Sequence, residues 1–362
     1  MVGGGAIGSA VALEVRQRGH RVTLLERQTI GSGASSNNAG LLVPEVRPDA
    51  PPVLARFWQR SLEEYQPFLQ AITEITGNTI LVERLGRLQV WLNGGDIEDL
   101  RKHAAAQQEA GIRAEVLDPA AVNALEPKLI GEVIGAVLFP DHCRLDAAAM
   151  TASAADAARK LGATIREDQE VFSLLTEGDR VSGVQLRAES IRSDWVILCA
   201  GAASGSMRGL ASTLPVRPVK GQVIICRPPT RQIRTIIAAP PIIGGLIPLP
   251  DGRMLIASTY EDAGFDVRPT AGAARDLLAG ALTVLPDLRD AALEGTRVGL
   301  RPFTPDGMPI VGKAQDGLLV ATGHGRMGIV STPLTARVIA DLVDSREPSM
   351  PLEAFRPDRF PA

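Results

Sequence analysis

Gly3-Gly4-Gly5-Ala6-Ile7-Gly8, followed one helix later by Val22-Thr23-Leu24-Leu25-Glu26, is the stretch on which the reading of this chain turns. In a Gly-x-Gly-x-x-Gly turn the first glycine allows a tight reversal and the second lets backbone approach a pyrophosphate. The third lets the following helix pack on its strand. Ile7, Val11 and Val15 recur at i, i+4 up to Gly19, which predicts a short helix closed by a glycine. Residues 22–25 form an apolar, β-rich run of the kind buried on both faces of a parallel sheet. Glu26 ends that run eighteen residues beyond Gly8, where a carboxylate can accept both ribose hydroxyls of an adenosine. The plain alternative, a glycine-rich turn beside a solvated Glu, explains the motif alone but not strand, spacing and acid together. The fingerprint also asks for a strand ahead of it, yet only Met1 and Val2 precede Gly3. Two explanations are open, a start placed several codons too late or a chain that folds with a stub; the first is the expectation, because a missing central strand leaves buried backbone groups on both neighbours unpaired.

Working outward, residues 31–51 are rich in Gly, Ser, Asn and Pro and predict a loop. Residues 54–75 predict one helix with Phe57, Leu62, Tyr65, Leu69 and Ile72 as its buried stripe. Between 81 and 140, β-like pieces at 88–92 and 135–139 flank a polar helix at 96–110. A helix is then expected at 147–161, a hairpin at 170–186 turning at Gly178-Asp179, and a buried strand at 195–198 running into Ala200-Gly201. From 216 to 258 the pattern is β, with a turn at Pro250-Asp251-Gly252. A strand at 296–300 leads into Arg301. The end of the chain repeats the order of its beginning: strand 318–321, glycine loop 323–328, helix from about 329 to 343.

The 362 residues, 45% hydrophobic and 22% charged, suffice for one or two intimately packed domains. With 38 Lys+Arg scattered among 41 Asp+Glu there is no electrostatic footprint for nucleic acid or acidic lipid. No apolar run approaches the ~20 residues of a membrane span, and no signal peptide opens the chain, so a cytoplasmic location is expected. Cys143, Cys199 and Cys226 lie far apart, without a C-x-x-C pair and with only four histidines, and read as free thiols rather than disulfides or a metal site.

Five motifs taken together resemble, in order, those of the D-amino-acid oxidase family of flavoproteins, with the glycine oxidase branch nearest. They are Gly3 to Gly8 with Glu26, the run Gly31-Ser32-Gly33-Ala34-Ser35-Ser36-Asn37-Asn38-Ala39-Gly40, Ala200-Gly201-Ala202-Ala203-Ser204, Gly299-Leu300-Arg301-Pro302-Phe303-Thr304-Pro305-Asp306-Gly307, and Gly323-His324-Gly325-Arg326-Met327-Gly328. The resemblance spans nearly the whole chain. It implies an α/β fold: a Rossmann-like FAD-binding domain of the glutathione-reductase type (1–78, 141–214 and 297–362), interleaved with a substrate domain of mixed β-sheet plus helices (79–140 and 215–296). It implies oxidation of an amine beside a carboxylate to the imine, as in glycine, sarcosine or a D-amino acid. Hydride passes to flavin N5, the imine is hydrolysed to a 2-oxo acid, and dioxygen is reduced to hydrogen peroxide. Some relatives tether FAD through a cysteine near the Arg301 motif; residues 295–312 hold none, which implies non-covalent FAD.

Carried onto this chain, the resemblance assigns cofactor contacts to Gly3, Gly5, Ala6, Ile7 and Gly8, to Glu26 and Arg27, and to Ala34, Ser35, Ser36, Asn38, Ala39, Gly40 and Leu41. Further contacts fall to Val171, Ala200 and Gly201, and to Gly323, His324, Gly325, Met327, Gly328 and Ile329. A plain polar turn is the alternative for Ser35, Ser36 and Asn38. Arg301 is the expected carboxylate anchor, since a planar guanidinium takes both oxygens at once. Arg326 can add charge or contact substrate and His324 can simply bond backbone; a loop-shaping pair is the alternative for both. The helix N-terminus after residue 328 is expected to aim positive potential at the flavin. Where glycine oxidases place a tyrosine over the substrate this chain has Gly245, with Ile243 at a nearby position that is polar in relatives. A roomier, less polar pocket is expected, and glycine specificity is not. Tyr260 either supplies the missing phenol or is an ordinary packed aromatic.

Two other functions fit the same residues: a D-amino-acid dehydrogenase passing electrons to a quinone or partner protein, and a non-catalytic FAD-binding subunit or sensor. The expected partners are a small amino acid or amine and dioxygen or another acceptor. A homo-oligomer is allowed.

Overall fold

The structure is a computed structural model that describes residues 1–45, 51–129, 133–230, 232–240 and 242–360, the side chains of Ile242 and Ile243 excepted. Its first layer is the parallel sheet that the opening motif predicts. Strand Thr23–Leu25 runs parallel to Thr164–Arg166 on one side, and Val196–Leu198 runs parallel to Leu318–Thr322 on the other. Met1 and Val2 fill the place between them. Val2 bridges both Leu25 and Leu198 in parallel, Val2 N donates to Ile197 O at 2.9 Å, and Gly3 N donates to Leu25 O at 2.9 Å. Two residues thus satisfy the neighbours' backbone at the point where the glycine turn begins.

Helices Ala6–Gln17, Ala147–Lys160 and Thr332–Val343 cover one face of this sheet through Val11, Leu13, Ala154, Ala158, Leu334 and Val338. The three-stranded antiparallel sheet of Ser173–Glu177, Arg180–Gln185 and Ser190–Arg192 covers the other, packing Leu174, Val181 and Val184 on Val196, Leu198 and Val320. This is a mixed α/β fold.

The second layer is an eight-stranded sheet built from chain segments far apart in sequence. Ala292–Phe303, Arg217–Arg227, Met254–Ala257, Ile242–Pro248 and Ile236–Ala239 are followed across the sheet by Arg87–Leu92, Val133–Phe139 and Glu115–Leu117. All neighbours are antiparallel except Ile236–Ala239 with Arg87–Leu92. Helix Ala271–Val284 seals one face with Leu277, Ala281 and Val284.

Three expectations need correction. The single helix at 54–75 is two, Pro52–Glu63 and Tyr65–Thr76. Pro67 has no N–H to offer the Glu63 carbonyl, so the helix breaks at Glu64 and restarts. The domain boundary expected between 296 and 297 falls inside strand Ala292–Phe303, which pairs with Arg217–Arg227 along its whole length and carries Arg301 within it. Finally, the last helix begins at Thr332 rather than near 329. A start at 329 would require an N–H from Pro333; instead the chain turns, and Thr332 Oγ1 donates to the Gly328 carbonyl at 2.8 Å. Among the described residues no helix is long and apolar enough to cross a membrane, and the three cysteines are free thiols.

Candidate active site

One cavity of about 900 Å³ runs between the two layers, from Glu26 and Arg27 at one end to Arg301 at the other. Its nucleotide end is made by close backbone approach. Gly3 has φ +101°, and a Cβ there would stand 2.5 Å from the Cys199 carbonyl oxygen; a Cβ on Gly8 would run into the carbonyl oxygen of Gly3. Gly8 therefore packs helix on strand and does not line the cavity, whereas Gly3, Gly5, Ala6 and Ile7 do. Ser35 Oγ accepts from Ala6 N at 2.8 Å, joining the 31–40 loop to the N-terminus of helix Ala6–Gln17. Glu26 Oε2 accepts from Gly4 N at 2.7 Å and Oε1 from Gln28 N at 3.0 Å, which fixes the carboxylate at the cavity rim.

The loop amides turn inward. Asn38 Nδ2 donates to the carbonyls of Ala34 (3.0 Å) and Ser35 (2.7 Å), and its Oδ1 accepts from Gly40 N at 2.6 Å. Ala34, Ser35, Asn38, Ala39, Gly40 and Leu41 line the cavity; Ser36 does not, its hydroxyl lying against Gly31. Val171, Ala200 and Gly201 line it from the sheet side, and His324, Gly325, Met327, Gly328 and Ile329 from the C-terminal loop. Gly323 is behind that wall, with φ +74° and Thr304 packed where a Cβ would be. His324 is buried, hydrogen-bonds Thr335 Oγ1 through Nε2 (3.1 Å), and has its pKa pushed down to about 3 by burial, so it is neutral. The turn at 328–331, whose Gly328 and Ile329 line the cavity, leads directly into the helix that begins at Thr332.

These features fit FAD. Backbone without side chains at Gly3 and Gly5, free space along the turn and a fixed carboxylate at the strand end form a cradle for an adenosine diphosphate. Burial pushes the Cys199 thiol in the wall up to about 12, leaving it neutral.

The opposite end is made of side chains. Arg301 lies flat over Gly221, donates from Nη2 to Ser258 Oγ at 2.6 Å and from Nη1 to the Thr259 carbonyl at 3.1 Å, and stacks 4.4 Å from the Tyr260 ring centroid. Among the described residues it makes no ion pair. Desolvation by burial, with Arg326 adding repulsion, lowers its pKa from the ordinary value. Tyr260 is 41% exposed and edge-on to Phe303 at 6.2 Å. Segment 259–270, which carries Tyr260 and Phe265 to the cavity, is pinned from beneath. Fully buried Lys220 donates to the Arg268 carbonyl at 2.6 Å, and Gln222 Nε2 donates to Glu261 Oε1 at 2.8 Å.

The strand Ile242–Pro248 corrects one expectation: Gly244 lines the cavity, while Gly245 (φ +106°) turns toward the Ile237 carbonyl oxygen on the neighbouring strand. The Ile243 side chain lies outside the described residues. Arg27 and Arg326 line the cavity. Sequence reasoning missed Glu45, Arg87, Gly221, Ser258 and Phe265 there. Gly221 is reached by Arg301 only diagonally, since its register partner is Gly299 while Arg301 pairs with Val219, and nothing local links Glu45 to Arg87.

Comparison with known proteins bears on the whole chain. A family model described as FAD dependent oxidoreductase (DAO) matches residues 1–342. A glycine oxidase of Pseudomonas aeruginosa is 34% identical over 365 residues, covering 99% of this chain and 97% of that protein. The crystal structure of glycine oxidase from Geobacillus kaustophilus is similar at a TM-score of 0.92 and 31% identity, covering 100% of this chain and 98% of that one. That of iminodiacetate oxidase from Chelativorans sp. BNC1 gives 0.88 and 25%, with 98% of each covered.

Proposed function

The chain belongs to the DAO family of FAD-dependent oxidoreductases, and from that premise we propose that it oxidises small carboxylated amines with an apolar substituent on nitrogen or Cα, using dioxygen as acceptor. FAD dependence and amino acid oxidation come with the family. The observation that carries the finer reading is Arg301, a largely buried guanidinium facing the cavity that makes no ion pair among the described residues. A substrate carboxylate placed there gains a two-pronged partner and relieves an uncompensated buried charge.

When bound, FAD would supply a two-electron acceptor for the hydride of the substrate's α-carbon, with dioxygen as the final acceptor and hydrogen peroxide as its product. The chain's residues supply orientation. Arg301 fixes one end of the substrate, with Ser258 and the Thr259 carbonyl locking the guanidinium plane. Tyr260 and Phe265 line this end on a segment that Lys220 and Gln222 hold in place. Released imine takes up water to give the 2-oxo acid and ammonia, or the amine from an N-substituted substrate. Gly244, Ala257, Val223, Leu41 and Val43 give this end an open apolar wall beside its charged groups. A methyl group on the substrate has room, and each well-filled methylene is worth about 1–3 kcal/mol in kcat/KM.

The test is anaerobic flavin bleaching with glycine, sarcosine, D-alanine and D-proline, followed by peroxide measurement in air. Bleaching faster with substituted substrates than with glycine, with stoichiometric peroxide, is expected. A kcat/KM highest for glycine would refute the substrate preference, and bleaching without peroxide would refute the acceptor. Acid precipitation should release the flavin as free FAD.

A further inference from the structure

Four charged side chains stand at the substrate end, and the proposed function uses only one of them directly. Arg301, Arg326 and Arg87 are cationic and Glu45 is anionic; all four line the cavity. The Glu45 and Arg87 side chains are 13% and 10% exposed and meet at 2.5 Å through Oε2 and Nη1. Glu45 Oε1 turns toward His103, whose Nε2 lies 3.5 Å away. The charges of Arg87 and Arg326 hold the Glu45 carboxyl below its usual range against the opposing effect of burial, and Arg326 also repels Arg301. Burial lowers the His103 pKa against the pull of Glu45. Three guanidiniums and one carboxylate therefore share the cavity wall, and the carboxylate is paired to Arg87.

This arrangement resembles a site for two carboxylates in which one is already supplied by the protein. We propose that Glu45 is a resident carboxylate that closes the site to amines bearing a second anionic group, occupying on Arg87 and beside Arg326 the place a distal substrate carboxylate would need. The inference deepens the proposed function and rests on its reading of Arg301 as the anchor of the first carboxylate. Two carboxylates competing for the same partly buried guanidiniums repel each other, and the incoming one must also shed its water. A neutral substituent meets neither obstacle. If Glu45 is removed, Arg87 and Arg326 are left with an uncompensated positive field that a dicarboxylate can fill. Glu45 thus acts as a specificity determinant by exclusion, and its loss redirects the enzyme.

Sarcosine and iminodiacetate form a suitable pair of substrates, both achiral and differing by one distal carboxylate. Propionate and succinate are the matching unreactive ligands, read through the perturbation of the flavin spectrum in the holoenzyme. In the wild type, propionate should bind at least about tenfold more tightly than succinate. In flavin-replete Glu45→Gln and Glu45→Ala, the ratio of kcat/KM for iminodiacetate over sarcosine should rise by at least about tenfold, and succinate should overtake propionate. Succinate binding as tightly as propionate in the wild type would overturn the proposal without any variant, so a variant that loses FAD does not protect it. An unchanged ratio in flavin-replete variants would overturn it too. Propionate binding that survives Arg301→Leu undiminished would remove the anchor and this inference together, whereas binding lost in Arg301→Leu with no gain in the Glu45 variants would sink the inference alone.

Discussion

The two ends of the cavity are built from different materials. At the nucleotide end the walls are largely backbone: Gly3, Gly5 and the loop closed by Asn38, with the Glu26 carboxylate fixed at the rim. At the substrate end the walls are side chains from the strands Arg87–Leu92, Met254–Ala257 and Ala292–Phe303, and Arg301 itself is seated by Gly221 on a fourth. A wall of backbone tolerates no added atoms and binds what every relative with this turn binds. Side-chain walls can be exchanged one residue at a time, so selectivity can vary there without disturbing the cofactor.

The difference predicts two failure modes, and the larger is at the nucleotide end. In Gly8→Val the new side chain meets the Gly3 carbonyl oxygen, so the helix must lift from the sheet and the pyrophosphate turn with it. Overpacking of this kind costs about 1–3 kcal/mol of stability. Flavin content of the purified protein should fall below about a tenth of the wild type's, since misplaced turn amides lose the phosphate contacts together. Gly272→Ala is the control: it sits in helix Ala271–Val284 with open space where its Cβ would go, and should hold full flavin while gaining about 0.5–1 kcal/mol. Full flavin in Gly8→Val would break the distinction between the two ends.

At the substrate end, Arg301→Leu should leave FAD bound and cripple turnover. Removing the partner of a buried carboxylate costs about 3–5 kcal/mol, roughly a hundredfold to several thousandfold in kcat/KM. Arg301→Lys should fall between, keeping charge without the two-pronged fit. An amine without a carboxylate should be nearly indifferent to either change. If Arg301→Leu keeps more than about a tenth of wild-type kcat/KM on the best carboxylated substrate, Arg326 becomes the residue to test.

How legible each end was in the sequence follows from the same contrast. Gly3, Gly5, Gly8 and Glu26 lie within one βα unit, so their spacing encodes their geometry, and the parallel sheet could be read from them. Arg301 was legible as a residue type in a motif, but its seat on Gly221 and its bonds to Ser258 and Thr259 depend on register between strands distant in sequence. Gly244 was misread as Gly245 because a one-residue shift exchanges the two faces of a strand, and the sequence of Ile242–Pro248 has no polar alternation to fix which face is which. The break at Glu64 was legible in Pro67 and was passed over because the apolar stripe continues across it. Glu45 with Arg87 could not have been found: the pair is 42 residues apart and joins a loop to a strand.

The smallest effect distinguishes the ends by acid rather than by mutation alone. His324 belongs to the nucleotide-side loop and His142 lies beneath the substrate sheet, stacked on Phe139 with ring centroids 4.6 Å apart. Burial pushes both pKa values down to about 3, against about 6.5 for an unfolded histidine. Between those values the unfolded chain binds protons that the folded one refuses, so stability rises with pH through this window and is lost as pH falls below about 6.5. Each histidine contributes a slope of up to about 1.4 kcal/mol per pH unit. Urea unfolding of the holoenzyme from pH 7 down to pH 4.5 should show this slope, reduced by one group's share in His324→Asn and by a similar share in His142→Phe. The two variants should part company in flavin release. His324→Asn alters the loop that walls the cavity and should shift the pH at which FAD dissociates, whereas His142→Phe should change the unfolding slope and leave flavin release tied to global unfolding. Parallel unfolding slopes in wild type and both variants would show that neither ring is held neutral by burial; equal shifts in flavin release would show that the two ends of the cavity fail as one.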